Sequence, residues 1–255
     1  MTAASRHAPL VVGIWQNFPL PMVSRYLAQQ GWDWVILDMQ HGCMTTETAY
    51  ECIHTLRAGG TKPLLRVSVG VPSEVQRALD LGARGVVVPM VNSLAEAQAV
   101  ALAAKYPPLG HRSLGGDPAR HYGADYPERA NTDTLLLVQV EHIESVRNVE
   151  AIMALPGVDG CFIGPTDLAL SMGLPRSDYE RHPDHRAAMA RTLAACQAHG
   201  KLACSNTYSM SDVQEKIAQG FDCITFKSEA ELFVSAGAGL LSELRKRAAD
   251  AGSRP

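Results

Sequence analysis

Two carboxylates follow strand-like apolar segments in the second half of the chain. Glu141 comes directly after Leu135–Val140, and Asp167 comes shortly after Val158–Ile163. Acidic side chains at the ends of buried strands are poorly placed for packing and well placed to bind a hard cation. If both strands belong to one parallel sheet, the two carboxylates project into the same crevice. The residues therefore predict a divalent metal site, with pairing to arginines as the alternative.

Other polar side chains follow the remaining predicted strands. Asp38 and His41 come after the second strand, and Arg66 ends the third. Histidine is the natural proton carrier near neutral pH, although His41 could also be a surface loop residue and Asp38 a turn cap. A cation at the end of a buried strand needs an anion, so Arg66 is expected to bind a protein carboxylate or a substrate.

The ends of the last three strands carry further candidates. Gly164, Pro165 and Thr166 open a short helix, whose free backbone N–H groups can hold a carboxylate. Asn206 follows the seventh strand and Lys227 the eighth. A lysine at such a position can form a Schiff base with a carbonyl substrate, but a solvated or anion-binding role is the more ordinary alternative.

Strand-like and helix-like segments alternate along the chain. The predicted strands are Val11–Trp15, Trp34–Asp38, Pro63–Val67, Gly85–Val88, Leu135–Val140, Val158–Ile163, Lys201–Ser205 and Cys223–Phe226. The predicted helices are Pro21–Gln30, Thr46–Ala58, Ser73–Leu81, Ser93–Ala104, Ile143–Leu155, His185–His199, Ser211–Gln219 and Glu229–Ala249. Eight such alternations favour an α/β fold, a closed (β/α)8 TIM barrel, over an open doubly wound sheet, because no glycine-rich dinucleotide motif follows the first strand.

Length and composition narrow the class of protein. The 255 residues fit one barrel domain, interrupted by a long loop at residues 105–134 that could cover the mouth, climb the side or reach a neighbouring subunit. A net charge of −3 argues against nucleic-acid binding. No segment is apolar enough for a membrane helix, and Met1–Pro9 lacks a signal core, so a cytoplasmic location is predicted. The six cysteines are expected to be buried, reduced thiols, and Cys43 is of interest because it follows the suspected site.

The chain as a whole resembles a known family of enzymes. The resemblance lies in six segments: Trp32–Gly42, Leu64–Val67, Gly82–Val91, Tyr106–Arg112, Val138–Glu141 and Val158–Leu168. Together they are similar to the HpcH/HpaI class II pyruvate aldolases, the group of 2,4-dihydroxyhept-2-ene-1,7-dioate aldolase. The resemblance implies a metal-dependent aldolase on a (β/α)8 barrel. It also implies a homo-trimer or homo-hexamer, in which the C-terminal helix is exchanged between subunits.

The resemblance implies roles for individual residues. These are metal binding by Glu141 and Asp167, proton transfer by His41, enolate stabilisation by Arg66, pyruvate contact by Gln139 and Thr166, and support of the histidine's basicity by Asp80. Two positions depart from the family pattern: Gln40 replaces a common acidic residue, and Lys227 replaces a small one. The departures concern the half of the site that would hold the second substrate.

These observations lead to a hypothesis about the reaction. The enzyme cleaves a 4-hydroxy-2-oxoacid to pyruvate and an aldehyde, or runs the reverse addition, with Mg²⁺, Mn²⁺ or Co²⁺ on an oxygen-rich site. Arg66 stabilises the enolate, His41 takes the hydroxyl proton, and Asp38 orients His41 or a water at the metal. The alternatives are an acyl-CoA ester lyase, an oxaloacetate decarboxylase, or a non-catalytic module that binds ketoacids. The sequence does not identify the aldehyde.

Overall fold

A computed structural model describes residues 10–252, without the side chains of Ala119 and Gly252. The prediction for Met1–Pro9 lies outside the described residues. Eight parallel strands close into a barrel in chain order, each hydrogen-bonded to the next and β8 to β1. The strands are β1 (Val11–Gln16), β2 (Trp34–Asp38), β3 (Lys62–Arg66), β4 (Gly85–Val88), β5 (Leu135–Val140), β6 (Gly160–Ile163), β7 (Leu202–Thr207) and β8 (Cys223–Ser228). The predicted (β/α)8 barrel is confirmed.

Helices follow the strands and pack around the barrel. They are α1 (Pro21–Gln29), α2 (Thr46–Ala58), α3 (Pro72–Asp80), α4 (Leu94–Ala104), α5 (Pro118–Tyr122), α6 (Tyr126–Asp133), α7 (Ile143–Arg147), α8 (Val149–Met153), α9 (Pro165–Ser171), α10 (Pro183–Ala198), α11 (Met210–Gln219) and α12 (Glu229–Gly252). The single helix predicted over Ile143–Leu155 is divided at Asn148, which caps both pieces. None of the helices within residues 10–252 has the length and hydrophobicity that crossing a membrane requires.

The barrel has two apolar layers, because successive strand residues point to opposite faces of a sheet. The inner layer fills the barrel with Trp15, Trp34, Ile36, Leu64, Val87, Leu137, Phe162, Cys204 and Cys223. The outer layer lies between the strands and the helices and includes Val35, Leu37, Leu65, Val86 and Val138. Strands covered on both faces explain why the sequence showed continuous apolar segments rather than alternation.

The segment predicted as a long loop contains two short helices, α5 and α6, and lies at the end of the barrel where strands begin. Lys105 is buried, and its ammonium group donates to the carbonyl groups of Asn131 and Thr134 and to the carboxylate of Asp159. Thr134 and Asp159 immediately precede β5 and β6. The segment therefore closes the bottom of the barrel and does not cover the mouth.

The last helix, α12, lies mostly off the barrel. Its first turn packs against β1 and β8, whereas almost every residue from Phe233 to Ala251 is exposed. The exposed side chains include Phe233, Val234, Leu240, Leu241 and Leu244, which are 49–74% accessible. A helix of this length gains most of its stability from packing an apolar face.

Candidate active site at the barrel mouth

The period of two along each strand carries polar residues to the mouth. Ile36 points into the barrel, and so does Asp38 two residues later. In the same way Leu64 is followed by Arg66, and Cys204 by Asn206. Since the carboxyl ends of all eight strands meet at one end of the barrel, these polar side chains form the wall above the apolar core.

Asp38 and Arg66 form a buried, two-pronged ion pair. Their Cα atoms are paired in the β2–β3 ladder. Nε and Nη2 of Arg66 donate to Oδ1 and Oδ2 of Asp38 at 2.9 and 2.6 Å. Burial alone would raise the pKa of Asp38, but Arg66 and the backbone N–H groups of His41 and Gln40 hold that pKa below its usual value. Of the two anions expected for Arg66, the protein supplies a carboxylate.

The same carboxylate shapes the loop that carries His41. Oδ1 of Asp38 accepts hydrogen bonds from the backbone N–H groups of Gln40 and His41 at 3.0 and 3.1 Å. Gly42 then turns so tightly that a Cβ there would lie 2.2 Å from the carbonyl oxygen of Asp38. Asp38 thus positions His41 through the main chain, while the imidazole is exposed at the mouth.

Glu141 is a buried carboxylate held from two sides. Its Oε1 accepts from the backbone N–H of Met90, and its Oε2 from Nε2 of Gln139, both at 2.8 Å. Met90 has a left-handed backbone with φ of 54°, which is uncommon for a residue with a side chain. Burial raises the pKa of Glu141, and the charge of Asp167 adds to the rise. A Cβ on Gly164 would lie 3.0 Å from Oε2 of Glu141, so glycine at this position leaves room beside that oxygen.

The two acidic residues fit a divalent cation. Neither Glu141 nor Asp167 forms an ion pair within the described residues, so the alternative of arginine partners does not hold there. Asp167 is exposed at the start of α9, close enough for its charge to act on Glu141. Two ionised carboxylates repel each other, and burying one of them adds a desolvation cost. A hard cation bound between them offsets both effects.

Several mouth residues were missed from the sequence. The guanidinium of Arg66 lies 4.4 Å from the ring centroid of Trp15, and the indole N–H donates to Oδ1 of Asn206 at 2.6 Å. Glu229 accepts from the backbone N–H groups of Asn17 and Phe18 and so fixes the loop after β1. Trp15 could have been found, since it is the inward-facing residue near the end of β1.

A cavity of about 210 Å³ opens above these residues. Its walls are formed by Trp15, Asn17, Asp38, His41, Arg66, Asn206, Thr207, Tyr208, Lys227, Ser228 and Glu231. Gln40 is not one of these residues; its Oε1 atom is buried without a hydrogen-bond partner in the described part of the chain. The size suits a small organic acid.

The remaining predicted site residues lie in different places. The hydroxyl of Thr166 donates to that of Tyr208 and bonds that of Tyr179, and the carbonyl of Pro165 accepts from Nε2 of His185 at 2.9 Å. Asp80 is the last residue of α3, where it forms an ion pair with Arg112 at 2.9 Å. Helix ends face the bottom of the barrel, so Asp80 lies far from the mouth of its own chain.

A second group of ligating side chains lies on the outside of the barrel. The ligand atoms of His54 on α2, Asp117 directly before α5 and His121 on α5 are within 4.8 Å of one another. Arg57 donates to Nδ1 of His121, and Arg120 pairs with Asp117. Burial and the nearby His121 and Arg57 lower the pKa of His54. The two arginines already serve as the cations of this cluster, which is separate from the mouth.

The cysteines are free thiols as predicted, but Cys43 is not buried. All six are free; Cys43 is exposed and the other five are buried. Cys161 and Cys196 lie with their Sγ atoms 3.3 Å apart, one on β6 and one on α10. Hydrogen bonding with Cys196 and burial raise the pKa of the Cys161 thiol, so it stays protonated.

The fold and the mouth define a class of protein: a (β/α)8 barrel enzyme whose site combines a buried arginine, a histidine and two carboxylates that form no ion pair with any described residue. The chain belongs to the HpcH/HpaI aldolase/citrate lyase family, whose profile matches residues 12–236. It is 34% identical to a hydroxypyruvate/pyruvate aldolase of Rhizorhabdus wittichii, over 93% of this chain and 94% of that protein. It is 31% identical to a 2-keto-3-deoxy-L-rhamnonate aldolase of Klebsiella pneumoniae, over 88% and 85%.

The fold is shared with a solved structure as well. A family protein from Burkholderia cenocepacia has a TM-score of 0.85 and 30% identity, covering 92% of this chain and 95% of that one. These relatives support the class II pyruvate aldolase that the sequence predicted.

Proposed function

We propose that this enzyme cleaves a 4-hydroxy-2-oxoacid to pyruvate and an aldehyde, or catalyses the reverse addition, at the barrel mouth. The observation that carries the proposal is the pair Glu141 and Asp167. These two carboxylates form no ion pair with any described residue, and they lie at the same mouth as the buried Arg66. Cleavage breaks the C3–C4 bond of the substrate and leaves pyruvate as an enolate, with negative charge on the keto oxygen. Mg²⁺, Mn²⁺ or Co²⁺ held by these two residues would supply Lewis acidity there.

Arg66 is proposed to stabilise the enolate. Two of its donor groups are occupied by Asp38, and Nη1 is left with only a long contact of 3.5 Å to Gln139. That third donor is available for an oxygen of the substrate. Because Asp38 and the ring of Trp15 fix the guanidinium, its position is set before the substrate arrives.

His41 is proposed as the group that moves the proton of the 4-hydroxyl. The imidazole lies at the edge of the cavity, on a loop fixed by the Asp38 carboxylate. In cleavage His41 accepts the hydroxyl proton as the carbonyl of the aldehyde forms. In the reverse reaction, the aldol addition, His41 returns the proton to the new alkoxide.

The pyruvate unit is proposed to lie beside Gln139 and the start of α9. Gln139 is fixed by Glu141 at the end of β5. Gly164 leaves space at the adjacent position, and the backbone N–H of Thr166, which follows Pro165 in the first turn of α9, has no acceptor within the helix. Asp80 as a catalytic residue finds no support within one chain, since it pairs with Arg112 at the opposite end; its role stays a prediction.

The enzyme is proposed to act as a homo-trimer or homo-hexamer with α12 packed on a neighbouring subunit. The support is the apolar face of α12, which stays exposed and packs against none of the described residues of its own barrel. A single barrel domain over residues 1–255 and a cytoplasmic location stay predictions. Light scattering of the wild type and of Leu240→Glu tests the assembly: the variant is expected to dissociate, and a monomeric wild type contradicts exchange.

The activity is tested with a coupled assay for pyruvate across several hydroxy-oxoacids. Chelation with EDTA is expected to abolish cleavage, and Mg²⁺ or Mn²⁺ to restore it. Oxaloacetate decarboxylation needs the same enolate but no hydroxyl proton, so it belongs in the same assay. Binding of pyruvate without turnover of any substrate would instead indicate a ketoacid-binding module, and activity indifferent to chelation would contradict the metal site.

A further inference from the structure

Lys227 reaches the cavity through an irregularity in β8. In the β1–β8 ladder Gly13 pairs with Thr225, but Trp15 pairs with Ser228, so β8 has one extra residue between the two pairs. Lys227 lies in that bulge with a left-handed backbone, φ of 60°. A bulge redirects a side chain, and strained residues of this kind cluster at functional sites.

The charge of Lys227 has no counter-ion in the part of the chain that the structure describes. Its ammonium group forms no ion pair there, and Nζ lies 5.4 Å from the centroid of the Phe226 ring. Glu231 lines the same cavity, but its Oε2 already accepts from the backbone N–H and hydroxyl of Ser228 at 2.9 and 3.2 Å. The half-buried ammonium therefore has donors free for a ligand.

Tyr208 marks the other side of the cavity. Its hydroxyl oxygen accepts from the hydroxyl of Thr166 at 3.3 Å, so the phenol lies next to the start of α9, where the pyruvate unit is proposed to bind. Loss of hydration raises the pKa of Tyr208, so the phenol keeps its proton. Tyr208 and Lys227 both line the cavity that also holds His41.

We propose that Lys227 binds an anionic group, a carboxylate or a phosphate, at the far end of the aldehyde half of the substrate. The inference rests on the proposed function, because His41 at the 4-hydroxyl places the aldehyde half in this cavity. The pyruvate carboxylate belongs on the other side, beside Gln139 and α9. The enzyme is therefore specific for aldehydes of the semialdehyde or phosphorylated type rather than for neutral ones.

Matched aldehydes test the subsite in the direction of addition to pyruvate. Succinic semialdehyde is compared with butanal, and glyceraldehyde 3-phosphate with glyceraldehyde; the two pairs distinguish carboxylate from phosphate. The wild type is expected to prefer the anionic member in kcat/KM. In Lys227→Gln that preference falls about 10-fold or more, mostly in KM, as expected for losing one charge-assisted hydrogen bond.

Three further variants make the comparison specific. Lys227→Arg keeps the charge and is expected to retain most of the preference. Tyr208→Phe changes the side of the cavity next to α9 and is expected to affect both members of a pair alike. Lys62→Gln removes the same charge from an exposed position at the bottom of the barrel and serves as the matched control. Equal effects of Lys227→Gln on both members of a pair, or none, would overturn the subsite.

A separate measurement distinguishes failure of the subsite from failure of the proposed function. Exchange of the pyruvate methyl protons with D₂O, with Mg²⁺ present, reports enolate formation without any aldehyde. If the wild type exchanges the methyl protons but shows no preference for anionic aldehydes, only the subsite is overturned. Absent exchange overturns both, and trapping of pyruvate on Lys227 by borohydride assigns the lysine to Schiff-base chemistry instead.

Discussion

Arg66 uses two of its nitrogen atoms to bind both carboxylate oxygens of Asp38, with Nη2 and Oδ2 only 2.6 Å apart and side-chain exposures of 9 and 2%. This ion pair positions two functional groups at the barrel mouth. Arg66 is held with one donor, Nη1, directed away from Asp38, and Asp38 fixes the loop of His41 through backbone N–H groups. The proposed enolate stabiliser and the proposed proton carrier are therefore positioned by one carboxylate.

Asp38→Asn is expected to destabilise the fold by about 3 kcal/mol at neutral pH, because it leaves the buried Arg66 without its anion. Since Arg66 and the loop hold the pKa of Asp38 below its usual 3.8, this stabilisation is present above that value. It should be lost as the pH falls below 3.8 toward the lowered pKa of the folded state. Urea unfolding at fixed protein concentration, measured across pH, checks both the size and the slope.

The matched control for that experiment is Glu150→Gln. Glu150 accepts two hydrogen bonds of 2.8 Å from Arg191, but both side chains are about half exposed. An exposed pair of this kind contributes about 1 kcal/mol at most. Equal losses in the two variants would contradict the importance of burial for the Asp38 pair.

Glu141→Gln is expected to change how the melting temperature depends on both Mn²⁺ and pH. The pKa of Glu141 is raised above its usual 4.5, so without metal the wild type loses stability as the pH rises past that value. The melting temperature of the variant, relative to the wild type, should therefore increase between about pH 4.5 and 7. Mn²⁺ should raise the melting temperature of the wild type and not that of the variant.

Asp167→Asn distinguishes the effect of pH from the effect of Mn²⁺ on the melting temperature. Asp167 is exposed, so its replacement should change the metal-free stability little while still removing the Mn²⁺ effect. A variant at either position that keeps the full Mn²⁺ stabilisation would place the cation elsewhere.

Arg66→Lys is expected to lower kcat by about 100-fold, as for loss of one donor to a developing oxyanion. Lysine keeps the charge but cannot hold Asp38 with two donors and present a third to the substrate. Steady-state cleavage kinetics check this, with Arg191→Lys as the control that breaks a similar two-pronged pair far from the mouth. Near-normal turnover would assign Arg66 to structure.

His41→Asn is expected to lower aldol cleavage by about 100-fold or more, the usual contribution of a general base. Decarboxylation of oxaloacetate should be affected much less, because that reaction breaks the bond to a carboxylate and removes no hydroxyl proton. The ratio of the two activities is the measurement. A parallel loss of both would place His41 in enolate stabilisation rather than in proton transfer.

The fold and the residue types of the mouth could be predicted from sequence for one physical reason. In a parallel barrel the strand ends meet, so Asp38, Arg66 and Glu141 could be placed together without knowing any contact. The contacts themselves depend on the register between neighbouring strands, which a single sequence does not show. Trp15 beside Arg66, and Asn206 accepting from Trp15, are of this kind.

Other features depend on local backbone geometry. The bulge that carries Lys227 and the left-handed residue Met90 have no signature in residue type, because neither is a glycine. The helices α5 and α6 lie within a segment rich in proline and glycine, where tertiary contacts of Lys105 and Asp117 decide the structure. The position of Asp80 at a helix end, by contrast, was evident from the sequence.

The central claim is that Glu141 and Asp167 hold the cation that makes pyruvate cleavage possible. Crystals soaked with manganese and pyruvate, measured for anomalous scattering at the manganese edge, test it most directly. The prediction is a manganese peak between the carboxylates of Glu141 and Asp167, with pyruvate beside it and within reach of Arg66. An empty mouth, or a peak only at His54, Asp117 and His121, would contradict it.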